Sequence, residues 1–351
     1  MSRLIRAHEL VAISSVSRHE SELASVVEQK LRGFAHLRVE RIGDNVIATT
    51  NAGFARRVLV AGHLDTVPGD ASLARVDGKT LHGVGACDMK GSLSVMLELA
   101  ATPPTHQDVS WVFYAREEIA RSESGLVELA QLRPDLIQAD VAVVAEPTGG
   151  TVEAGCQGTL RVAVTFHGRR AHTARPFTGD NAVHRLGTAL TRIAAYEPRS
   201  VEIDGVVFVE QMQAVSVSGG IAPNVVPDVA SVTINHRVAP DRSRDEAIAQ
   251  IRRTLGDCLR DGDEVVIEDF APPARPHLDD PMLADLVRRT GVTPRAKVGW
   301  TDVATFTEMG VPATNFGAGD PLLAHRSDEF VTEDELDVFA GVLASWLVQA
   351  P

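Results

Sequence analysis

Three short apolar runs each lead directly into residues able to hold a metal ion or move a proton. Residues 58–61 run into Gly62-His63-Leu64-Asp65, residues 111–115 into Arg116-Glu117-Glu118, and residues 141–145 into Glu146-Pro147-Thr148. Such runs are typical of buried parallel strands, and in open α/β sheets ligands bind beyond the carboxyl ends of the strands. A fourth acidic group, Asp88, lies in Gly85-Ala86-Cys87-Asp88-Met89-Lys90-Gly91, at the start of a helical stretch. Taken singly, each residue has an ordinary use. His63 could be a satisfied core histidine, Glu117 and Glu118 solvated side chains, Asp88 a helix cap and Glu146 a turn residue. All of these ordinary uses falling at the same edge of one sheet is improbable, and together the residues point to a metal site.

The spacing also suits metal-assisted hydrolysis. Adjacent side chains of an extended segment point to opposite sides, so one of Glu117 and Glu118 can grip a metal while the other reaches the water beside it. The carboxylate of Asp88 can bridge two cations. Asp65, two residues after His63, points the same way and is expected to orient the imidazole. Histidine and carboxylate donors without thiolates suit zinc, or cobalt or manganese in its place. Two such ions would activate water and polarise a carbonyl.

Positioning these groups requires an α/β scaffold. A helical stretch at 91–101 separates the first two runs and another at 125–131 separates the second from the third, which predicts a sheet of parallel strands. An amphipathic helix, a helix over 17–32 and a strand pair over 37–50 come first. The pattern changes near Gly158: strand 159–167, helix 180–196, strands 205–217 and 230–237, helix 243–259 and strand 264–270. That β-α-β-β-α-β order is the ferredoxin-like unit. A proline-rich junction at 272–276 follows, then helix 281–290, strand 311–316 and helix 333–348. The expected organisation is a catalytic α/β domain at 1–157 and 269–351, with a smaller domain at 158–268 inserted into it.

The chain has 351 residues, more than one hydrophobic core usually supports, which agrees with two domains. Its 47 acidic and 34 basic residues give a net charge of −13, against nucleic acid or an anionic membrane as partner. No stretch approaches the roughly 20 apolar residues of a membrane span. Met1-Ser2-Arg3-Leu4-Ile5-Arg6-Ala7-His8 lacks the apolar core of a secretory signal. Cys87, Cys156 and Cys258 are too few and too scattered for a disulfide framework, so the reducing cytoplasm is the expected compartment. No paired histidine motif accompanies Cys87 or Cys156, which argues against a cysteine hydrolase.

Together the motifs resemble the di-zinc metallopeptidase and deacylase family that includes carboxypeptidases, acetylornithine deacetylase and succinyl-diaminopimelate desuccinylase. The likeness covers nearly the whole chain, from His63-Leu64-Asp65-Thr66-Val67-Pro68 to His325 in Ala324-His325-Arg326-Ser327-Asp328-Glu329. The stretches Glu153-Ala154-Gly155-Cys156-Gln157-Gly158, Gly299-Trp300-Thr301-Asp302 and Asn315-Phe316-Gly317-Ala318-Gly319-Asp320-Pro321 resemble the actinobacterial desuccinylase branch in particular. The resemblance implies a di-zinc peptidase-like catalytic domain with a ferredoxin-like lid that also forms a homodimer. It implies His63 and Glu146 on one zinc, Glu118 and His325 on the other, Asp88 bridging, and Glu117 as general base and acid beside Asp65. It further implies a cis peptide bond after Asp88.

For the substrate, the resemblance implies that His172 stabilises the oxyanion from the partner subunit, that Asn224 and Arg237 hold carboxylates and that Thr301 makes a further contact. Many relatives carry an arginine pair where this chain has Cys156-Gln157, so part of the carboxylate grip is expected from Arg175 or Lys297. The activity implied is hydrolysis of N-succinyl-LL-2,6-diaminopimelate, a small-molecule substrate. The alternative is a related deacylase or dipeptidase such as acetylornithine deacetylase. A regulatory protein that kept the fold and lost catalysis is disfavoured by the presence of Glu117.

Overall fold

A computed structural model describes residues 2–348; Met1 and residues 349–351, at the two ends of the expected catalytic segments, lie outside the described residues. The chain divides into two compact units, Met1–Gly155 with Pro276–Lys297 and Thr301–Pro351, and Cys156–Arg275 with Val298–Trp300. These boundaries fall a few residues from those read off the sequence, for an identifiable reason. Cys156 and Ala274 pair as an antiparallel bridge, with both main-chain hydrogen bonds at 3.1 Å. The proline-rich segment is thereby zipped into the second unit, and the Trp300 indole N–H donates to the Pro272 carbonyl at 3.1 Å.

In the first unit an eight-stranded sheet runs in the order Arg38–Ile42, Asn45–Thr49, Asp108–Tyr114, Arg57–His63, Val141–Val144, Ala313–Asn315, Glu153–Ala154, Arg295–Ala296. The four central strands, Asp108–Tyr114 to Ala313–Asn315, are parallel. Antiparallel pairing enters on either side, so the sheet is mixed rather than wholly parallel. Every residue of Asp108–Tyr114 and Val141–Val144 is buried, as expected of strands covered on both faces. The helix Gly91–Ala100 packs on Arg3–Val11, on Glu333–Val348 and on the strand Arg57–His63. Gly62 permits that last approach, because a Cβ there would stand 2.6 Å from Leu93 Cδ2. Arg75–Asp77, Thr80–His82 and Phe330–Thr332 form a separate three-stranded antiparallel sheet that the sequence pattern did not announce.

The second unit contains a four-stranded antiparallel sheet ordered Gln211–Gly219, Val229–Val238, Gly158–His167, Glu264–Ala271, with helices Ala182–Ala194 and Arg244–Leu255. That is the ferredoxin-like arrangement. Leu160, Val162, Val164 and Phe166 alternate along their strand and join Ala189, Ile234 and Ile251 in one core. Asn181 caps the first helix and a Ser243–Glu246 capping box starts the second.

The single strand expected at 205–217 is two strands. Val206–Val209 turns back on Ser200–Ile203 through Asp204 and Gly205, both at positive φ, the conformation of a tight hairpin turn. The break after it is Glu210, fully buried and accepting from Arg242 Nε at 2.8 Å, Arg242 Nη2 at 3.0 Å and the Ala239 N–H at 3.2 Å. Among the described residues no helix is long and apolar enough to cross a membrane.

Candidate metal centre

The strands Asp108–Tyr114, Arg57–His63 and Val141–Val144 are neighbours, with His63 opposite Tyr114 and Ala61 opposite Val144. Their carboxyl ends therefore deliver Glu117-Glu118, His63 and Glu146 to one rim. Gly317 lets the neighbouring chain pass close beneath Glu146, since a Cβ there would lie 2.1 Å from the Ala145 carbonyl oxygen. Asp88 arrives on the tight turn Ala86–Lys90, whose Asp88–Met89 peptide bond is cis. His325 comes from a late loop and holds a left-handed backbone, φ 65°.

The five side chains meet. His63 Nε2 lies 3.0 Å from Asp88 Oδ1 and 3.8 Å from Glu146 Oε1. His325 Nε2 lies 2.8 Å from Glu118 Oε2 and 3.6 Å from Asp88 Oδ2. Asp88 thus stands between the two histidines with one oxygen toward each. Donor atoms of His63, Asp88 and Glu118 all fall within 4.8 Å of one another.

The residues present fit a cationic guest. Glu118 Oε1 and Glu146 Oε1 are buried without a hydrogen-bonding partner among the described residues, a costly state for carboxylate oxygens. Burial first, and the charge of Asp88 next, push the Glu146 carboxyl up to about 7. The Glu117 carboxyl is pushed well above the usual range, by burial and then by the charge of Glu146. Divalent ions among these oxygens would relieve this crowding of negative charge.

Asp65 supports the cluster in a way the sequence reading missed. The His63 Nδ1 atom lies 3.0 Å from the main-chain carbonyl of Asp65 and 3.6 Å from its carboxylate. The carboxylate is tied elsewhere: Oδ1 accepts the Glu117 N–H at 2.9 Å, and Oδ2 accepts the Glu118 N–H at 3.0 Å and the Ser17 hydroxyl at 2.7 Å. One carboxylate therefore fixes the backbone of both glutamates. Glu329 does the same for Asp88, accepting the N–H groups of Cys87 at 2.8 Å and Asp88 at 2.9 Å. Its signal was its place four residues after His325; nothing local marked Ser17.

Of the other predicted residues, Thr301 and Lys297 are in the first unit and His172, Asn224 and Arg237 in the second. Thr301, in the first unit, is buried and donates to Asn315 Oδ1 at 2.8 Å. His172 and Asn224, in the second, are exposed on and beside a short ribbon pairing Ala171–His172 with Val225–Val226. His172 Nδ1 accepts the Ala174 N–H at 3.0 Å, which leaves Nε2 open. Arg237 is half-buried on Val229–Val238, its pKa lowered by burial. Lys297 is taken, 2.8 Å from Glu153 Oε2 and donating to the Pro147 carbonyl. Gln157 is buried, donating to the Val209 carbonyl at 2.7 Å, so no cation occupies that position. All three cysteines are free and buried.

Residues 59–349 match peptidase family M20/M25/M40. A Mycobacterium tuberculosis protein bearing the name DapE is 47% identical over 344 residues, 96% of each chain. The succinyl-diaminopimelate desuccinylase of Corynebacterium glutamicum is 42% identical over 352 residues, covering 98% of this chain and 95% of its own. The Bacillus subtilis YXEP protein, described as a dinuclear metal-binding peptidase of the M20 family, shares the fold with a TM-score of 0.73 at 16% identity, over 98% of this chain and 96% of that one. With a match this long and identities this high along nearly the full length, the chain belongs to peptidase family M20/M25/M40 and is a hydrolase of amide bonds.

Proposed function

We propose that the protein hydrolyses N-succinyl-LL-2,6-diaminopimelate to succinate and LL-2,6-diaminopimelate, a step in making diaminopimelate and lysine. The observation that carries this reading is the near-full-length identity to the Corynebacterium glutamicum desuccinylase. His63 and Glu146 would hold one divalent ion and Glu118 and His325 a second, with Asp88 between them. Donors of this kind, without thiolates, suit zinc, with cobalt or manganese as substitutes. When bound, the ions supply Lewis-acid polarisation of the scissile carbonyl and acidify the attacking water.

Glu117, the glutamate of the pair not assigned to an ion, takes that water's proton. A C–O bond forms at the succinyl carbonyl carbon. The same carboxyl then hands its proton to the leaving nitrogen as the C–N bond breaks, releasing succinate and the free amine. Asp65 keeps base and ligand in step through their backbone N–H groups. His172 is assigned to the developing oxyanion, Asn224 and Arg237 to substrate carboxylates and Thr301 to a further contact. What favours Arg237 is its half-buried guanidinium with no acidic partner among the described residues, a fork suited to a carboxylate.

A homodimer through the second unit is part of the same reading. Gln211–Gly219 is an edge strand with Val215 and Val217 exposed, and pairing two such edges across a two-fold axis would cover them. Sedimentation showing a monomer at micromolar concentration would overturn it. Buried free cysteines are compatible with the reducing cytoplasm. Rates measured side by side on N-succinyl-LL-2,6-diaminopimelate, N-acetylornithine and dipeptides test the substrate. The expected kcat/KM for the first exceeds the others by at least ~100-fold; equal or higher values on the others would overturn the assignment.

A further inference from the structure

We propose that a pocket of the first unit beside His325 binds a carboxylate of the substrate through Arg75, an inference that rests on the functional reading above. The pocket has a volume of about 610 Å3, the size of a small-molecule site. One wall is the three-stranded sheet. Arg75 lies directly opposite His82, and His82 directly opposite Phe330. Cross-strand neighbours share a face, so cation, imidazole and phenyl ring form one row, the two rings 5.7 Å apart. The alternate residues Leu81 and Val331 are fully buried and anchor that row from behind.

The charges around the pocket leave Arg75 free. Arg326 is held by Asp328 at 2.7 and 2.8 Å. Asp70 accepts the N–H and hydroxyl of Ser72. Glu329 accepts the N–H groups of Cys87 and Asp88. Among the described residues Arg75 has no side-chain partner, and an exposed guanidinium in the wall of a concave pocket is a fork for an incoming carboxylate. His325 both lines this pocket and touches Glu118 and Asp88. A substrate whose amide lies at the cluster can therefore extend one end into the pocket. This supplies an anion contact in a region where no motif suggested one, in a chain with Cys156-Gln157 in place of an arginine pair.

Of the substrate's three carboxylates, the one on the amide-bearing carbon stays at the cluster. Two lie at the ends that can enter the pocket: the free end of the succinyl group, or the remote carboxylate of the diaminopimelate chain. Steady-state kinetics of the wild type, Arg75→Ala and Arg75→Lys on three amides separate them. The amides are N-succinyl-LL-2,6-diaminopimelate, its N-acetyl counterpart without the acyl carboxylate, and Nα-succinyl-L-lysine without the remote one. Arg75→Ala is expected to raise KM for the full substrate about tenfold or more while kcat changes less than about twofold, with Lys between. The penalty should vanish on Nα-succinyl-L-lysine if the remote carboxylate is bound, or on the N-acetyl amide if the acyl carboxylate is bound. Unchanged KM on the full substrate, or an equal loss on all three amides, would overturn the subsite and leave the functional reading standing. A wild type unable to hydrolyse N-succinyl-LL-2,6-diaminopimelate would overturn both.

Discussion

In the first unit the groups assigned to chemistry are held from several sides. Asp65 accepts two backbone N–H groups and a hydroxyl, Glu329 two more N–H groups, and His63 lies between Asp65 and Asp88. In the second unit His172 and Asn224 are exposed, and the Arg237 guanidinium has no acidic partner among the described residues. The contrast separates two tasks. Proton transfer needs donors and acceptors fixed before the reaction begins, whereas recognition needs polar groups still free to pair with what arrives. Substitutions among the groups of the metal centre should therefore act on turnover, and those at Asn224 and Arg237 on binding.

Glu117→Gln should be the most damaging change, lowering kcat by ~10²–10⁴-fold while both metals stay bound, because the ligands remain and only the proton acceptor is lost. Elemental analysis showing metal lost in parallel with activity would place Glu117 among the ligands instead. Asp65→Asn should come next, with a loss of roughly 10–100-fold in kcat or metal affinity, since it weakens the hold on both glutamates at once. A variant with wild-type turnover and metal content would show that the Glu117-Glu118 backbone keeps its place unaided.

Arg237→Lys keeps the charge but loses the fork, so KM should rise by about tenfold with little change in kcat. A fall in kcat at constant KM would place Arg237 in the chemical step instead of in recognition. The last test concerns the second unit's own buried polar group and is read in stability instead of activity. His236 is fully buried near Glu210 and Arg242, and burial lowers its pKa to about 4. The unfolded value is ~6.5, so between these limits the unfolded chain binds more protons. Stability should therefore fall as pH drops from about 6.5 toward 4, by up to ~3 kcal/mol. Thermal melts of His236→Gln should show a flatter pH dependence over that window; an identical slope would assign the acid sensitivity to other groups.

The parts of the molecule that could be read from sequence are those with a local cause. The runs at 58–61 and 141–144 are continuous because both faces of those strands are covered, and the ligands follow at the strand ends. The alternation of Gly158–His167 likewise declares one buried face. What escaped depends on partners distant in the chain. Glu210 interrupts an apparently continuous strand because Arg242 and the Ala239 N–H meet it in a buried site. The Arg75–His82–Phe330 row joins residues that no periodicity connects. Asp65 could be seen to lie near His63, but not that its carboxylate turns to the backbone of Glu117 and Glu118.

The insertion also imposes a timetable on synthesis. Val141–Val144 pairs on one side with Ala313–Asn315, and at 5–20 residues per second the roughly 170 intervening residues take about 10–30 s to make. The strands of the second unit's sheet all lie between Gly158 and Ala271, so its β-α-β-β-α-β unit can close while the first unit still waits. Throughout that interval the sequence Val-Ala-Val-Val presents an unsatisfied apolar edge on the nascent chain, the kind of surface that pairs with whatever strand it meets. The moment of greatest exposure to aggregation thus falls on the ribosome, before the strand that completes the catalytic sheet has been translated.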